Sequence, residues 1–314
     1  MKYSIIIPIY KNEGSILQLL EVLSSINQTL EGKLEAVFVV DGSPDKSFEL
    51  LKKNIDQVNF QAQILLLSRN FGSFAAIQTG LNSATGDYFG VMAADLQEPP
   101  ELLISFFESL SNDECDVVVG VRKSRQDPFM SRLASSIFWS IYRHWIVQEM
   151  PVGGVDIFGC NRLFRDNLVQ LEESRSSLIA LIFWVGFRRK FLPYERKIRI
   201  AGKSAWTFKK KLEYMMDSIF AFTDYPISLL INIGAAGLVL SVMMTFVVLL
   251  ANFFGEIAVP GYTATVLFVL FFGALNLFGL GLVGTYSWRA YENSKRRPNA
   301  IVALKYQNKE IKVK

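Results

Sequence analysis

Histidine and cysteine are nearly absent from this chain, with one His and two Cys in 314 residues. A Ser-His-Asp triad would have only His144 to use, and the G-x-S-x-G turn that presents a serine nucleophile does not occur. His144 sits among aromatics in IFWSIYRHWI and reads as a packed or interfacial side chain rather than a general base. Cys115 and Cys160 make no zinc spacing and read as small buried residues of a reducing compartment. There is neither a Walker loop nor a G-x-G-x-x-G, so kinase, ATPase and NAD readings lose their usual support. The net charge is +4, with no interleaving of basic and aromatic residues, which argues against nucleic acid as a partner. Residues 1–10 do not read as a signal peptide; they are a polar start and an apolar run of strand length.

Carboxylate, amide and arginine chemistry remain. Those groups suit a hard cation, Mg²⁺ or Mn²⁺, and a phosphorylated substrate. In residues 1–125, short apolar runs (YSIIIPI, LEAVFVVD, QILLLS, YFGVMAAD and CDVVVGV) read as strands buried on both faces. Between them SILQLLEVLSSI, FAAIQTGLNSA and PELLISFFESL carry apolar residues at three- and four-residue steps. This alternation predicts an α/β domain with a mostly parallel sheet covered on both sides. The predicted strand ends collect the polar groups: PIYKNE, VDGSPD, SRNFG, ADLQE and GVRKSR. Ligands of open α/β sheets bind at such ends, and helices opened by Asp41-Gly42-Ser43 and Arg69-Asn70-Phe71-Gly72 would aim free N–H groups at an anion.

Charge is missing altogether from two long stretches. Between Pro226 and Arg289 the only charged residue is Glu256. The uncharged runs 228–254 and 262–288 each exceed the ~20 residues that cross ~30 Å of hydrocarbon as a helix. Lys209, Lys210 and Lys211 precede them, and Arg289, Lys295, Arg296 and Arg297 follow, which predicts both ends on the cytoplasmic side of a cell inner membrane. The stretch 204–226 has the composition of an amphipathic interfacial helix on membrane lipid. The expected divisions are 1–203 for the catalytic domain, 204–226 for the interfacial helix, 227–290 for a two-helix transmembrane hairpin and 291–314 for a cytoplasmic tail. Gly273, Gly279, Gly281 and Gly284 could support packing within the hairpin or in a homo-oligomer.

IIIPIYKNE, FVVDGSPD, LSRNFGS and MAADLQEPPELL stand in this order at the predicted strand ends. With GVRKSR, the GGVD turn, the 184–206 run and the terminal hairpin, the chain resembles the polyprenyl-phosphate glycosyltransferases of family 2, which have the GT-A (Rossmann-like) fold. The resemblance implies an inverting transfer of a sugar from a nucleotide sugar, with UDP-glucose or another UDP-sugar favoured, to a polyprenyl (undecaprenyl) phosphate, serving cell-envelope glycan modification. It also assigns roles. Pro8, Tyr10, Glu13 and Asp41 match base- and ribose-binding positions, and Arg69 approaches the nucleotide. Asp95 and Gln97 hold the metal and diphosphate. Asp156 stands at the acceptor end as a catalytic residue, and Arg122, Arg125, Arg199, Lys203 and Ser204 are candidates for the acceptor phosphate.

Two departures qualify the resemblance. Val40 stands where the family commonly has the first aspartate of Asp-Asp-Gly-Ser, and Ala93-Ala94-Asp95 replaces its Asp-x-Asp. A single aspartate can suffice when substrate phosphates and waters complete the coordination of Mg²⁺. The residues leave open a membrane-tethered, inactive nucleotide-sugar-binding or scaffold protein of the same fold, and a processive polysaccharide synthase relative.

Overall fold

The computed structural model describes residues 1–122, 140, 142–144, 147–151, 155–171, 173, 177–196, 208–253 and 261–308. They divide into two compact units, Met1–Met215 with Arg297–Lys314, and Met216–Arg296.

The first unit begins with β1 (Tyr3–Ile9), α1 (Ile16–Thr29), β2 (Leu34–Val40), α2 (Ser47–Asn54), β3 (Gln61–Leu67), α3 (Ser73–Ser83), β4 (Tyr88–Val91), α4 (Pro100–Ser111) and β5 (Val117–Arg122). There follow β6 (Val155–Asn161), α5 (Arg162–Val169), α6 (Leu178–Trp184) and β7 (Arg189–Tyr194). The next helix, α7 (Phe208–Phe222), passes into the second unit, and β8 (Val302–Gln307) returns to the first. The sheet runs β7-β5-β6-β4-β1-β2-β3-β8. Among the described strands β6 and β8 run against the rest, so the predicted mostly parallel sheet is present as a mixed one.

Burial follows from periodicity. Every residue of β2 is buried, as a strand covered on both faces requires. In α1 the three- and four-residue steps put Ile16, Leu19, Leu20, Leu23 and Ile26 on the buried side. These residues pack with Ile5, Ile7, Phe38, Phe106 and Leu103 in one core, where each large apolar side chain contributes roughly 1.5–3 kcal/mol through lost water contact. Pro8 is tolerated in a central strand for a local reason: β4 pairs with β1 only as far as Ile6–Val91, so no β4 ladder bond is lost beside Pro8.

The apolar run 88–95 is a strand only over its first half. Beyond Val91 the chain turns away, and Met92 to Glu98 form a loop that is nevertheless mostly buried. The tail contains an element that hydrophobic runs did not reveal. Within it β8 pairs antiparallel with β3 and becomes the sheet's edge.

The second unit holds the end of α7, α8 (Tyr225–Phe253) and α9 (Tyr262–Ser294). Two helices therefore occupy the two uncharged runs. Many of their described apolar side chains are exposed, with Ile231 at 62%, Phe246 at 63% and Leu277 at 71% exposure. Among the described residues no single helix is long and apolar enough to cross a membrane, whereas Glu213–Phe222 and Tyr225–Gly237, bent by 74° at the break between them, have the length and composition for it together. Gly279 is used within the pair: a Cβ there would lie 3.3 Å from Leu230, while Gly273, Gly281 and Gly284 face open space. Near the base, Arg289 Nη2 donates to Asp217 Oδ1 at 2.6 Å and its guanidinium lies 5.1 Å from the Phe220 ring centroid.

Candidate functional site

Strand order brings the predicted strand ends to one rim. The β1–α1 and β2–α2 loops are neighbours because β1 pairs with β2 through Ile9–Val40. Four successive N–H groups of the first loop donate to side chains. Tyr10 donates to Asn12 Oδ1 (3.0 Å), Lys11 to Ser43 Oγ (2.8 Å), Asn12 to Ser47 Oγ (3.2 Å) and Glu13 to Asp45 Oδ2 (3.0 Å). Glu13 returns the interaction by accepting from Lys46 N–H at 3.0 Å. Lys11 holds a left-handed φ of 58°, a conformation costly for a residue with a Cβ unless its surroundings fix it. A depression of about 450 Å³ lies between the loops, lined by Lys11, Asn12, Glu13, Ser15, Pro44 and Asp45. Tyr10 is exposed, with Lys11 Nζ 5.4 Å from its ring centroid.

Asp41 is buried, and its carboxylate accepts from Phe71 N–H at 2.7 Å and Gly72 N–H at 2.8 Å. Gly72 is the N-cap of α3 and Phe71 the residue before it, so the negative charge also meets the positive helix end. Burial pushes the Asp41 carboxyl above its ordinary range, against the lowering effect of those two bonds and of Arg69. Arg69 is exposed, 4.1 Å from the Phe71 ring centroid, and donates to the Asn70 carbonyl. At Asp45 burial again opposes the charge, but bonds from Ser43, Ser47 and the Glu13 N–H outweigh it and hold the carboxyl below its ordinary range.

The loop after β4 carries Asp95 and Gln97, both buried, with Gln97 N–H 3.4 Å from Asp95 Oδ1 and Leu96 between them at φ 55°. Ser15 Oγ donates to the Ala94 carbonyl at 2.8 Å, fastening this loop to the start of α1. A carboxylate and an amide oxygen fit a hard divalent cation as part of a coordination shell. Among the described residues no cluster of three His, Cys, Asp or Glu could hold a metal alone. At the end of this loop Glu98 is buried, with Arg196 Nε 3.9 Å from its Oε1.

Arg122 ends β5, half-buried. Asp156 lies near the start of β6, and because β6 is antiparallel and Val155 pairs with Val121, its backbone reaches the same rim. The Asp156 side chain and Arg125, Arg199, Lys203 and Ser204 lie outside the described part of the structure. Pro8, Tyr10, Glu13, Asp41, Arg69, Asp95 and Gln97 are brought together along adjoining strand ends. Sequence reasoning missed Ser15, Asp45 and Ser47, and the side-chain role of Ser43. Their one signal was the Ser/Asp turn chemistry of DGSPDKS. His144 is exposed, so of the two expectations, packed or interfacial, it is not packed in the core.

Comparison with known proteins gives the family. Residues 4–171 match the sequence model of the family described as glycosyl transferase family 2. The chain is 30% identical to the uncharacterised glycosyltransferase YkcC of Bacillus subtilis, over 99% of this chain and 97% of that one. It is 31% identical to the undecaprenyl-phosphate 4-deoxy-4-formamido-L-arabinose transferase of Proteus mirabilis, over 98% and 96%. Among solved structures, the mannosyltransferase PcManGT of Pyrobaculum calidifontis in complex with GDP-Man and Mn²⁺ aligns over 80% of each chain, at 16% identity and a TM-score of 0.46. With a matched segment covering more than half its length and relatives spanning nearly all of it, the chain belongs to glycosyl transferase family 2 and is a glycosyltransferase.

Proposed function

We propose that this enzyme moves a sugar from a nucleotide sugar, a UDP-sugar such as UDP-glucose, to a polyprenyl phosphate of the undecaprenyl type at the cytoplasmic face of the inner membrane. The product would be a lipid-linked monosaccharide for cell-envelope glycan modification. The observation that carries this reading is a polar rim of strand-end loops containing the buried Asp95–Gln97 pair, in a chain whose two long helices expose many large apolar side chains. A relative named for an undecaprenyl-phosphate acceptor matches the chain through those helices as well as the sheet.

In this reading Pro8, Tyr10, Glu13 and Asp41 receive base and ribose, and Arg69 faces the diphosphate. Asp95 and Gln97 would hold Mg²⁺ or Mn²⁺, which when bound offsets charge on the departing nucleotide diphosphate. A polyprenyl-phosphate oxygen attacks the anomeric carbon in line, its bond forms as the bond to the diphosphate oxygen breaks, and configuration inverts. The phosphate is already ionised near neutral pH, so Asp156 orients acceptor and sugar more than it removes a proton. Arg122, Arg125, Arg199, Lys203 and Ser204 hold the acceptor phosphate, guanidinium being matched to it in shape. Residues 1–203 form the catalytic domain, 204–226 the interfacial segment and 227–290 two spans, so enzyme and lipid acceptor meet in two dimensions at raised effective concentration.

Ala93 supports a second reading, in which the site binds nucleotide sugar without turning it over. The test is to incubate purified protein with labelled UDP- and GDP-sugars and undecaprenyl phosphate in detergent and follow label into the organic phase. Label from one donor is expected. Nucleotide binding with no label from any donor would favour the second reading.

A further inference from the structure

We propose that Asp45, which no role above uses, is a positioning residue that brackets the β1–α1 loop against the β2–α2 loop and so sets the shape of the base-binding wall. This rests on the donor-binding reading of that rim. Asp45 Oδ2 accepts from Glu13 N–H at 3.0 Å, while its Oδ1 accepts from Ser43 Oγ–H at 2.6 Å and Ser47 N–H at 3.2 Å. Each partner is itself engaged with the opposite loop. Ser43 Oγ accepts from Lys11 N–H, Ser47 Oγ from Asn12 N–H, and Glu13 Oε2 from Lys46 N–H. The bracket is thus reciprocal: each loop gives a carboxylate to a backbone donor of the other.

Two features make Asp45 its centre. Its Oδ2 crosses to the Glu13 N–H while its Oδ1 holds Ser43 and Ser47 within its own loop, and the hydroxyl oxygens of those two serines make the crossings to Lys11 and Asn12. The bonds it organises also surround Lys11, whose φ of 58° needs holding. Without Asp45, Ser43 loses the acceptor that orients its hydroxyl, Glu13 N–H is left to solvent, and Tyr10 and Glu13 lose their fixed distance from Asp41. Such preorganisation acts on affinity for the group bound between the loops, because the loops need not be ordered at the moment of binding. It leaves the reacting atoms, which lie toward Asp95, untouched.

The test is calorimetric binding of UDP and of GDP to the full-length protein in detergent, for wild type, Asp45→Ala, Asp45→Asn and Ser43→Ala, with donor KM and kcat measured alongside. Loss of about one charge-assisted hydrogen bond predicts a Kd for the preferred nucleotide raised about tenfold in Asp45→Ala. Asp45→Asn should be intermediate, since it keeps one acceptor oxygen. Donor KM should rise in step while kcat at saturating donor stays near wild type, a split that general loss of folded protein would not produce. Asp45→Ala that binds nucleotide as wild type does overturns the inference and leaves the function standing. Wild type that binds neither nucleotide overturns the function, and the inference with it. If Asp45→Ala does not fold, Asp45→Asn and Ser43→Ala decide: raised Kd in both supports the bracket, and unchanged Kd in both overturns it.

Discussion

Gly42 meets the backbone of Arg69 so closely that a Cβ on it would lie 2.3 Å from the Arg69 carbonyl carbon and 2.5 Å from the Asn70 nitrogen. Its φ of 54° adds a left-handed conformation that favours glycine. Gly42→Ala therefore has to move one of two rim loops as well as accept roughly 1–2 kcal/mol of backbone strain. The predicted result is a clear fall in thermal midpoint together with weakened nucleotide binding, read by differential scanning fluorimetry with and without UDP. Gly72→Ala, whose Cβ meets nothing within 4 Å, should carry the strain of its φ of 99° alone and cost less.

Asp41 and Asp45 should titrate in opposite directions from the ordinary aspartate value of about 3.9. The folded-state value of Asp45 is depressed, so its contribution to stability is present above the unfolded value and is lost as pH falls through the folded one. The folded-state value of Asp41 is raised. Its contribution is present below the unfolded value and lost as pH rises through the folded one. Carbon-detected NMR of the side-chain carboxyls should show Asp45 protonating at lower pH than Asp41. Denaturant unfolding across the acid range should show Asp45→Asn losing less stability than wild type as pH falls.

Removing the Asp41 carboxylate exposes a separate cost. In Asp41→Ala the Phe71 and Gly72 N–H groups lose their shared acceptor, each worth about 1–3 kcal/mol if it stays buried and unpaired. Hydrogen exchange at Phe71 and Gly72 should accelerate at least tenfold while β2 amides stay protected.

The returning strand has its own lock. Asn308 Oδ1 accepts from Ala62 N–H at 3.0 Å, and its Nδ2 donates to the Phe60 carbonyl at 2.9 Å. Tyr306 Oη donates to Asp56 Oδ2 at 2.8 Å. Asn308→Ala should lower the free energy of unfolding by about 1–3 kcal/mol and make the chain after residue 300 sensitive to limited proteolysis. Resistance equal to wild type would show that the β8–β3 ladder suffices without the asparagine.

These relationships differ in how far they could be read from the chain. The strands β1, β2, β3 and β5 and the helices α1, α3 and α4 lie close to where apolar periodicity puts them, because their burial repeats the pattern. β4 stops short because the ladder to β1 ends at Val91, a tertiary fact that a run of apolar residues does not encode. The short helix α2 buries only Ser47 and Leu51, too little for a period to show. β8 escaped because its partner β3 lies more than 230 residues earlier, and a short alternating segment does not name its edge. At the site, Asp95 and Asp41 were legible as carboxylates at strand ends. That Asp41 spends both oxygens on α3, and that Asp45 joins two loops, depends on which loops the strand order makes neighbours.

Transfer itself is the most direct measurement. Wild type and Asp95→Ala, with undecaprenyl phosphate and the preferred UDP-sugar, should be followed by mass spectrometry of the lipid and by released UDP, with Mg²⁺ or Mn²⁺ and with EDTA. The expected result is a lipid phosphate heavier by one sugar and one UDP released per product, lost with EDTA and reduced at least a hundredfold in Asp95→Ala, about 2.7 kcal/mol of transition-state stabilisation. UDP release without labelled lipid, or equal product from Asp95→Ala, would contradict it.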